Sequence, residues 1–174
     1  MLDYTSGGKG AEMRIWVPGR PRTKGSMKSF WPKGAQRAVM VQNNPESRAW
    51  QSRVTEFAFK AGLTPYKNAV SIVAVFNFQR PASHLNKKGL LRDSAPQSPG
   101  HSCGDVDKLL RNVLDALTGL AYYDDSQVVA LHGVKRYCDF VYPEPGAYIE
   151  VEAYLDFSPK AKTDLPTLFD TKEE

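Results

Sequence analysis

Residues 104–129 read GDVDKLLRNVLDALTGLAYYDDSQVV, a helical pattern with acidic residues at both of its ends. One face of the predicted helix is apolar and consists of Val106, Leu109, Leu110, Val113 and Leu117. Asp107, Arg111 and Asp115 follow each other at intervals of four, so their side chains lie in one row along the flank of that face. Gly119 marks the end of the helix. The stretch therefore predicts an amphipathic helix that carries a charged row beside its buried side.

Strand patterns lie on both sides of this helix. β-branched and aromatic residues fill 69–80, which is the strongest strand pattern in the chain. Residues 14–17 alternate polar and apolar, and residues 38–42 predict the strand that returns beside them in a long-looped hairpin. Two more strands are predicted at 128–137 and 147–157, joined by a turn that contains proline and glycine.

A further helix precedes the strongest strand. It begins at Pro45, has apolar residues at helical spacing and ends at Gly62. The resulting order, β-β-α-β-α-β-β, predicts an α+β domain, with a mixed β-sheet and two main helices on one face. This domain spans 13–157, between a flexible N-terminal segment at 1–12 and a flexible polar tail at 158–174.

The composition is that of a globular protein, with 41% hydrophobic and 24% charged residues. No apolar run approaches the roughly 20 residues that cross a bilayer, and the N-terminus lacks the apolar core of a secretory signal. These features predict a cytoplasmic protein, in which Cys103 and Cys138 are free thiols. The three histidines are too scattered for a zinc cluster, so any metal is expected to be a hard cation held by carboxylates.

Basic residues are concentrated in the first half of the chain. Residues 1–92 contain 16 Lys and Arg against 4 Asp and Glu, whereas residues 93–174 contain 7 against 15. The two segments therefore carry +12 and −8, which sum to the net charge of +4. This asymmetry favours a polyanionic partner, usually nucleic acid, over the alternative of a solvated basic surface.

Four aspartates flank the helix that begins at residue 106: Asp105 and Asp107 at its start, Asp124 and Asp125 beyond its end. Two carboxylates about 4 Å apart repel by about 4 kcal/mol at an effective dielectric of about 20, so a fold that gathers them protonates one or binds a cation. A divalent ion such as Mg²⁺ takes oxygen ligands and orients a water against a phosphate. The alternative is structural: Asp105 caps the helix, Asp107 favours its dipole, and residues 124–125 form a turn.

The combined pattern resembles the signature of RusA-type Holliday junction resolvases, in particular phage-borne members. The specific elements are Asp-x-Asp at 105–107, Asp-Ala-Leu at 115–117 and Asp-Asp-x-Gln at 124–127. A looser likeness, through Gly19-x-Pro21-x-x-Lys24 and Arg80-Pro81, extends it over roughly residues 13–157. The resemblance implies a Mg²⁺-dependent endodeoxyribonuclease, with Mn²⁺ as the alternative ion, in the cytoplasm of a bacterium or a phage-infected host.

The resemblance also implies roles for individual residues. Asp105, Asp107 and Asp125 match the family's essential metal-binding aspartates, with Asp124 as an adjacent helper, and Asp115 matches a recurring acid. Two positions depart from the family pattern: Lys108 replaces an asparagine, and Arg111 replaces the catalytic lysine. Arginine stays protonated and cannot donate a proton, but it can neutralise charge on the phosphate in the transition state. The predicted catalytic set is therefore Asp105, Asp107, Asp125 and Arg111.

Branched DNA is the expected partner. Phosphate contacts are predicted for seven cations in the loops: Arg20, Arg22, Lys24, Lys28, Lys87, Lys88 and Arg92. A homodimer is expected because a four-way junction needs two cuts in opposed strands, and a two-fold axis supplies two equivalent sites. The alternatives are a broader flap or fork endonuclease, and a non-catalytic DNA-binding protein in which Arg111 marks lost activity.

The tail at 158–174 contains a short apolar motif, Leu165-Pro166-Thr167-Leu168-Phe169. It loosely resembles the linear motifs by which bacterial repair proteins bind the sliding clamp, although Asp164 stands where those motifs usually begin with glutamine. The alternative is that Leu168 and Phe169 fold back onto the domain. Under either interpretation the tail is expected to be dispensable for chemistry.

Overall fold

The computed structural model describes residues 13–25, 27–30, 34, 37, 39–42, 45–62 and 64–154. Strands and helices follow in the order β1 (Met13–Pro18), β2 (Met27–Phe30), β3 (Val39–Gln42), α1 (Pro45–Lys60), β4 (Val70–Phe78), α2 (Val106–Leu117), β5 (Val128–Tyr137) and β6 (Gly146–Ala153). Short 3-10 turns lie at Ala82–His84, His101–Cys103 and Asp125–Gln127. The predicted α+β class is confirmed. The segments at 1–12 and 158–174 lie outside the described residues.

The main sheet has four strands in the order β1-β6-β4-β5. β6 is antiparallel to both of its neighbours, whereas β4 and β5 are parallel, so the sheet is mixed as predicted. The predicted hairpin between residues 14–17 and 38–42 is wrong. β1 pairs with β6 from the far end of the domain, and β3 pairs with β2, which the sequence pattern did not indicate, in a separate two-stranded sheet.

Both helices pack on one face of the main sheet. On β4 the alternate residues Ile72, Ala74 and Phe76 are buried, and they lie in register with the buried residues of β6. α1 contributes Trp50 to this core and α2 contributes the predicted apolar face. Gly133 of β5 has no side chain where α2 crosses it; a Cβ there would lie 2.7 Å from a methyl carbon of Leu110. In the described residues no helix has the length and apolarity that a membrane crossing requires.

α2 connects the parallel strands β4 and β5, and this connection determines where the acidic residues at its two ends lie. Parallel neighbours require a crossover connection, and here α2 runs back along the sheet from the end of β4 to the start of β5. The two ends of α2 therefore lie at opposite edges of the sheet. Lys135, near the end of β5, donates a hydrogen bond to the carbonyl of Gly104 at 2.6 Å, which ties the start of α2 to one edge.

Candidate active site and nucleic-acid interface

The N-terminal end of α2 presents two carboxylates. Asp105 occupies the N-cap position, but its side chain makes no capping hydrogen bond. It accepts a hydrogen bond from Lys108 Nζ at 2.6 Å instead, and this contact holds the pKa of the Asp105 carboxyl below its usual value. Asp107, in the first turn, is exposed and makes no hydrogen bond or ion pair within the described residues. Asp107 is thus the one carboxylate of the predicted set that makes no hydrogen bond or ion pair in the described fold, although its charge helps to raise the pKa of Lys108.

Gly104 shapes this end of the helix. Its φ is +79°, a backbone conformation that side chains other than glycine rarely adopt. A Cβ at this position would also collide with the Thr23 side chain in the loop after β1. The glycine therefore lets that loop lie directly against the start of α2.

The carboxylates beyond the C-terminal end of α2 are more constrained. Asp124 accepts a hydrogen bond from the Ser126 backbone N–H at 2.9 Å, and Gln127 completes the reciprocal capping box. Hydrogen bonding by the Ser126 side chain, and then by its backbone N–H, lowers the pKa of the Asp124 carboxyl. Gln127 Nε2 also donates to the carbonyls of Tyr66 and Asn68, at 2.9 and 3.0 Å. Asp124 and Gln127 thus hold the Asp-Asp-x-Gln turn in shape.

Asp125 points back toward the helix end. It accepts a hydrogen bond from Thr118 Oγ1 at 2.7 Å. The buried Tyr122 donates its hydroxyl proton to the Leu114 carbonyl at 2.9 Å, and burial raises the pKa of Tyr122. Asp125 is exposed, and the hydrogen bond from Thr118 engages only its Oδ1.

One chain does not bring the four aspartates together. Thr118, which binds Asp125, is eleven residues beyond Asp107 along α2, and at about 1.5 Å per residue the two positions are about 16 Å apart. Ligands of one Mg²⁺ ion lie about 2.1 Å from it, so a single ion cannot bind both pairs. The described residues contain no group of three or more His, Cys, Asp or Glu side chains placed to hold a metal. Within one chain the donors are chemically suited to a hard cation but are incomplete.

The charged row on the flank of α2 is contacted by Lys24, which comes from the loop after β1. Lys24 donates its backbone N–H to the Lys108 carbonyl at 3.0 Å, and its Nζ lies 2.5 Å from Asp115 Oδ2. Arg111, one turn before Asp115, is exposed and has no hydrogen bond or ion pair within the described part of the chain. Lys24 was predicted as a phosphate contact, and the structure places it in this row instead of on an open loop.

Asn112 anchors the loop that carries Lys24. It is fully buried on α2, and its Nδ2 donates to the Arg22 carbonyl at 2.8 Å and to Ser47 Oγ at 3.2 Å. The sequence analysis missed this residue. The signal was present, since an asparagine that precedes Val113 interrupts the apolar face of the helix, and buried amides are almost always hydrogen-bonded.

The loop after β1 carries Arg20, Arg22 and Lys24 and is called the basic loop. It borders three adjoining pockets, all of which Arg20 lines. One holds about 250 Å³ between the loop and α1, where Arg53 also lines it. A second, of about 240 Å³, leads to Gly104 at the start of α2, and a third, of about 600 Å³, extends to Arg80. Arg53 and Arg80 were not among the predicted phosphate contacts, although both extend the basic surface.

The other predicted phosphate contacts differ in how freely a phosphate can reach them. Arg22 forms a two-point ion pair with Glu46, at 2.9 and 3.0 Å, and Arg92 Nε donates to the Leu85 carbonyl at 2.8 Å. Lys87 and Lys88 are exposed. The side chain of Lys28 lies outside the described residues. Arg20, Lys87 and Lys88 are therefore the predicted cations that a phosphate reaches with least competition.

Comparison with known proteins identifies the family. The family model described as Endodeoxyribonuclease RusA matches residues 18–152, which is most of the chain and includes every element from α1 to β5. No curated protein matches the chain. The chain belongs to the RusA endodeoxyribonuclease family.

Proposed function

We propose that this member of the RusA endodeoxyribonuclease family cuts four-way DNA junctions by phosphodiester hydrolysis that depends on Mg²⁺. One observation carries the proposal. Asp107 and Arg111 are exposed one helical turn apart on the flank of α2, and neither forms a hydrogen bond or an ion pair with the other or with another described side chain. Aspartate and arginine at this spacing commonly form an ion pair. Leaving both charges open beside a basic surface favours a ligand that carries a cation and a phosphate.

Each residue then has a distinct task. Asp105 and Asp107 are the ligands that would hold the cation, with Asp125 as the further carboxylate. A bound Mg²⁺ supplies a Lewis acid and a polarised water. Arg111 neutralises charge that develops on the phosphate, a contribution of about 3 kcal/mol for a single contact of this type. Arg20, Lys87 and Lys88 bind the neighbouring phosphates and thereby position the DNA without reading its sequence.

A homodimer accounts for the separation of the aspartates. A two-fold axis across α2 sets the helices of two copies antiparallel, so that the Asp107 end of one lies beside the Asp125 end of the other. β5 supports association, because it is an edge strand of ten residues with Val129 and Leu131 exposed. In this arrangement each site takes carboxylates from both copies, and the two sites are equivalent.

Mixing two inactive variants tests the shared site. If Asp107 and Asp125 of different copies form one site, a dimer of one Asp107→Asn copy and one Asp125→Asn copy keeps one intact site and loses the other. Random assembly should then restore nicking to about a quarter of the wild-type level. If each copy builds its own site, both sites of the mixed dimer are damaged and the mixture stays inactive.

The substrate is tested with a panel of labelled DNAs. A four-way junction, a flap, a fork and a linear duplex are incubated with the protein in Mg²⁺, in Mn²⁺ and in EDTA. Preferential cutting of the junction supports the proposal, and equal cutting of the flap and fork favours the broader branched-DNA endonuclease. Binding without cutting in either metal favours the non-catalytic alternative.

A further inference from the structure

The largest of the three pockets lies at the end of β4 and is also lined by Ser102 and Cys103, just before the start of α2. Its volume is about 600 Å³, within the usual range for small-molecule sites. Its apolar walls come from two parts of the chain, Phe78, Pro81 and Leu85 at and after the end of β4, and Pro145 just before β6. The described fold does not fill this space, and the assigned chemistry does not use it.

The charged groups at the pocket are both cationic. Arg20 and Arg80 line it, and none of its lining residues is acidic. Gln79, Ser102 and Cys103 add polar groups to the walls. Apolar walls with cations and no acid suit a flat apolar group that carries a negative charge beside it. A nucleotide, with its base against the walls and its phosphate at the arginines, has this chemistry.

Both arginines are held in place before any ligand binds. Arg80 donates to the Pro96 carbonyl at 2.8 Å, and its guanidinium lies over the ring of the buried Tyr137, 4.1 Å from the centroid. Arg20 donates to the Ser102 carbonyl at 3.3 Å. Side chains that are already ordered lose less entropy on binding, which favours recognition of a phosphate at this point.

The pocket is also continuous with the basic surface. Arg20, Ser102 and Cys103 line both this pocket and the one that leads to Gly104 at the start of α2. A strand whose phosphate lies at Arg20 could therefore reach Asp105 and Asp107 on one side and the apolar pocket on the other. This continuity favours a nucleotide within a DNA strand over a free small molecule.

We infer that this pocket receives one unstacked base of branched DNA, next to the strand that is cut. The inference rests on the proposed function and adds to it a site for the base. Extruding a base costs a few kcal/mol in a duplex and least where pairing is already broken, as at a branch point. The pocket would thus favour branched over linear DNA without reading a sequence.

The test blocks the pocket with a phenylalanine side chain and measures base unstacking by 2-aminopurine fluorescence. Ala82 lines the pocket and Ser83, beside it on the same exposed 3-10 turn, does not, so Ala82→Phe and Ser83→Phe are a matched pair. Each variant is bound in EDTA to a four-way junction with 2-aminopurine at the branch point, and to a linear duplex. Gln79→Phe, at a second exposed lining residue, provides an independent occlusion, and urea unfolding checks that each variant folds.

Wild type and Ser83→Phe should raise the 2-aminopurine fluorescence on binding. Ala82→Phe and Gln79→Phe should reduce this rise and weaken junction binding by about tenfold, the scale of one lost base contact, with duplex binding unchanged. If both occluding variants match Ser83→Phe while the wild type still cuts junctions, the pocket assignment is rejected and the proposed function stands. If the wild type neither binds nor cuts branched DNA, both are rejected.

Discussion

Replacing Asn112 by alanine tests how the basic loop is held against α2. The substitution removes three hydrogen bonds from Nδ2, to the Arg22 carbonyl, to Ser47 Oγ and, at 3.4 Å, to the Ser47 carbonyl, and a hydrogen bond is worth about 1 kcal/mol net. Part of this loss is recovered, because Asn112 Oδ1 is itself buried without a partner in the described residues. The expected loss is therefore about 2–3 kcal/mol of unfolding free energy.

The matched control is Ser47→Ala, which removes the hydrogen bond to Ser47 Oγ and keeps those to the backbone carbonyls of residues 22 and 47. It should cost about 1 kcal/mol, and the double variant should show a coupling of about 1 kcal/mol. Urea unfolding measures both, since a loss of 2–3 kcal/mol shifts the midpoint by about 1 M for a chain of this size. Junction affinity of the folded Asn112→Ala protein should also fall, because Arg20 and Lys24 lie in the loop that Asn112 holds. An unfolding free energy within about 0.5 kcal/mol of wild type would contradict the anchoring role.

Three further changes probe the site and its surroundings. Arg111→Lys should retain substantial cleavage, whereas Arg111→Ala should lose about a hundredfold or more in kcat, and an unchanged rate for the alanine variant would remove Arg111 from the mechanism. Gly104→Ala should cost about 1–3 kcal/mol through its positive φ, besides displacing the Thr23 loop, while Gly100→Ala, where a Cβ meets nothing within 4 Å, should be neutral in unfolding experiments. Truncation after Ser158 should leave junction cleavage within severalfold of full length. A tail peptide that fails to bind a bacterial clamp at high micromolar concentration would exclude the clamp contact.

Elements with strong local patterns were predictable from sequence. The strand at 128–137 coincides with β5, and the two helices lie where the apolar residues recur at helical spacing. Their periodicity is a property of neighbouring residues, so no tertiary information is needed. The pairing of β1 was not predictable in this way, because its partner β6 begins more than a hundred residues later and both possible partners have similar strand patterns.

The residues of the candidate site could be proposed from the sequence, but their arrangement in space could not. Asp107 and Asp125 are close in sequence, yet the 12-residue helix between them runs antiparallel to the sheet strands on either side and carries them to opposite edges. The ion pair of Lys24 with Asp115 depends on a loop from the other end of the domain, which only the fold brings to α2. Asn112 was recognisable in principle, since a buried polar residue in an apolar face needs a partner.

The most direct test of the central claim compares wild type with Asp107→Asn. The quantity measured is the rate at which each protein cuts a labelled four-way junction, with Mg²⁺ and with EDTA. The substitution removes a carboxylate ligand and a negative charge beside the phosphate while barely changing the shape of the side chain. We predict that the wild type cuts only with the metal, and that Asp107→Asn binds the junction at least as tightly without cutting it. Cutting by Asp107→Asn at near the wild-type rate, or equal cutting by the wild type in EDTA, would contradict the account.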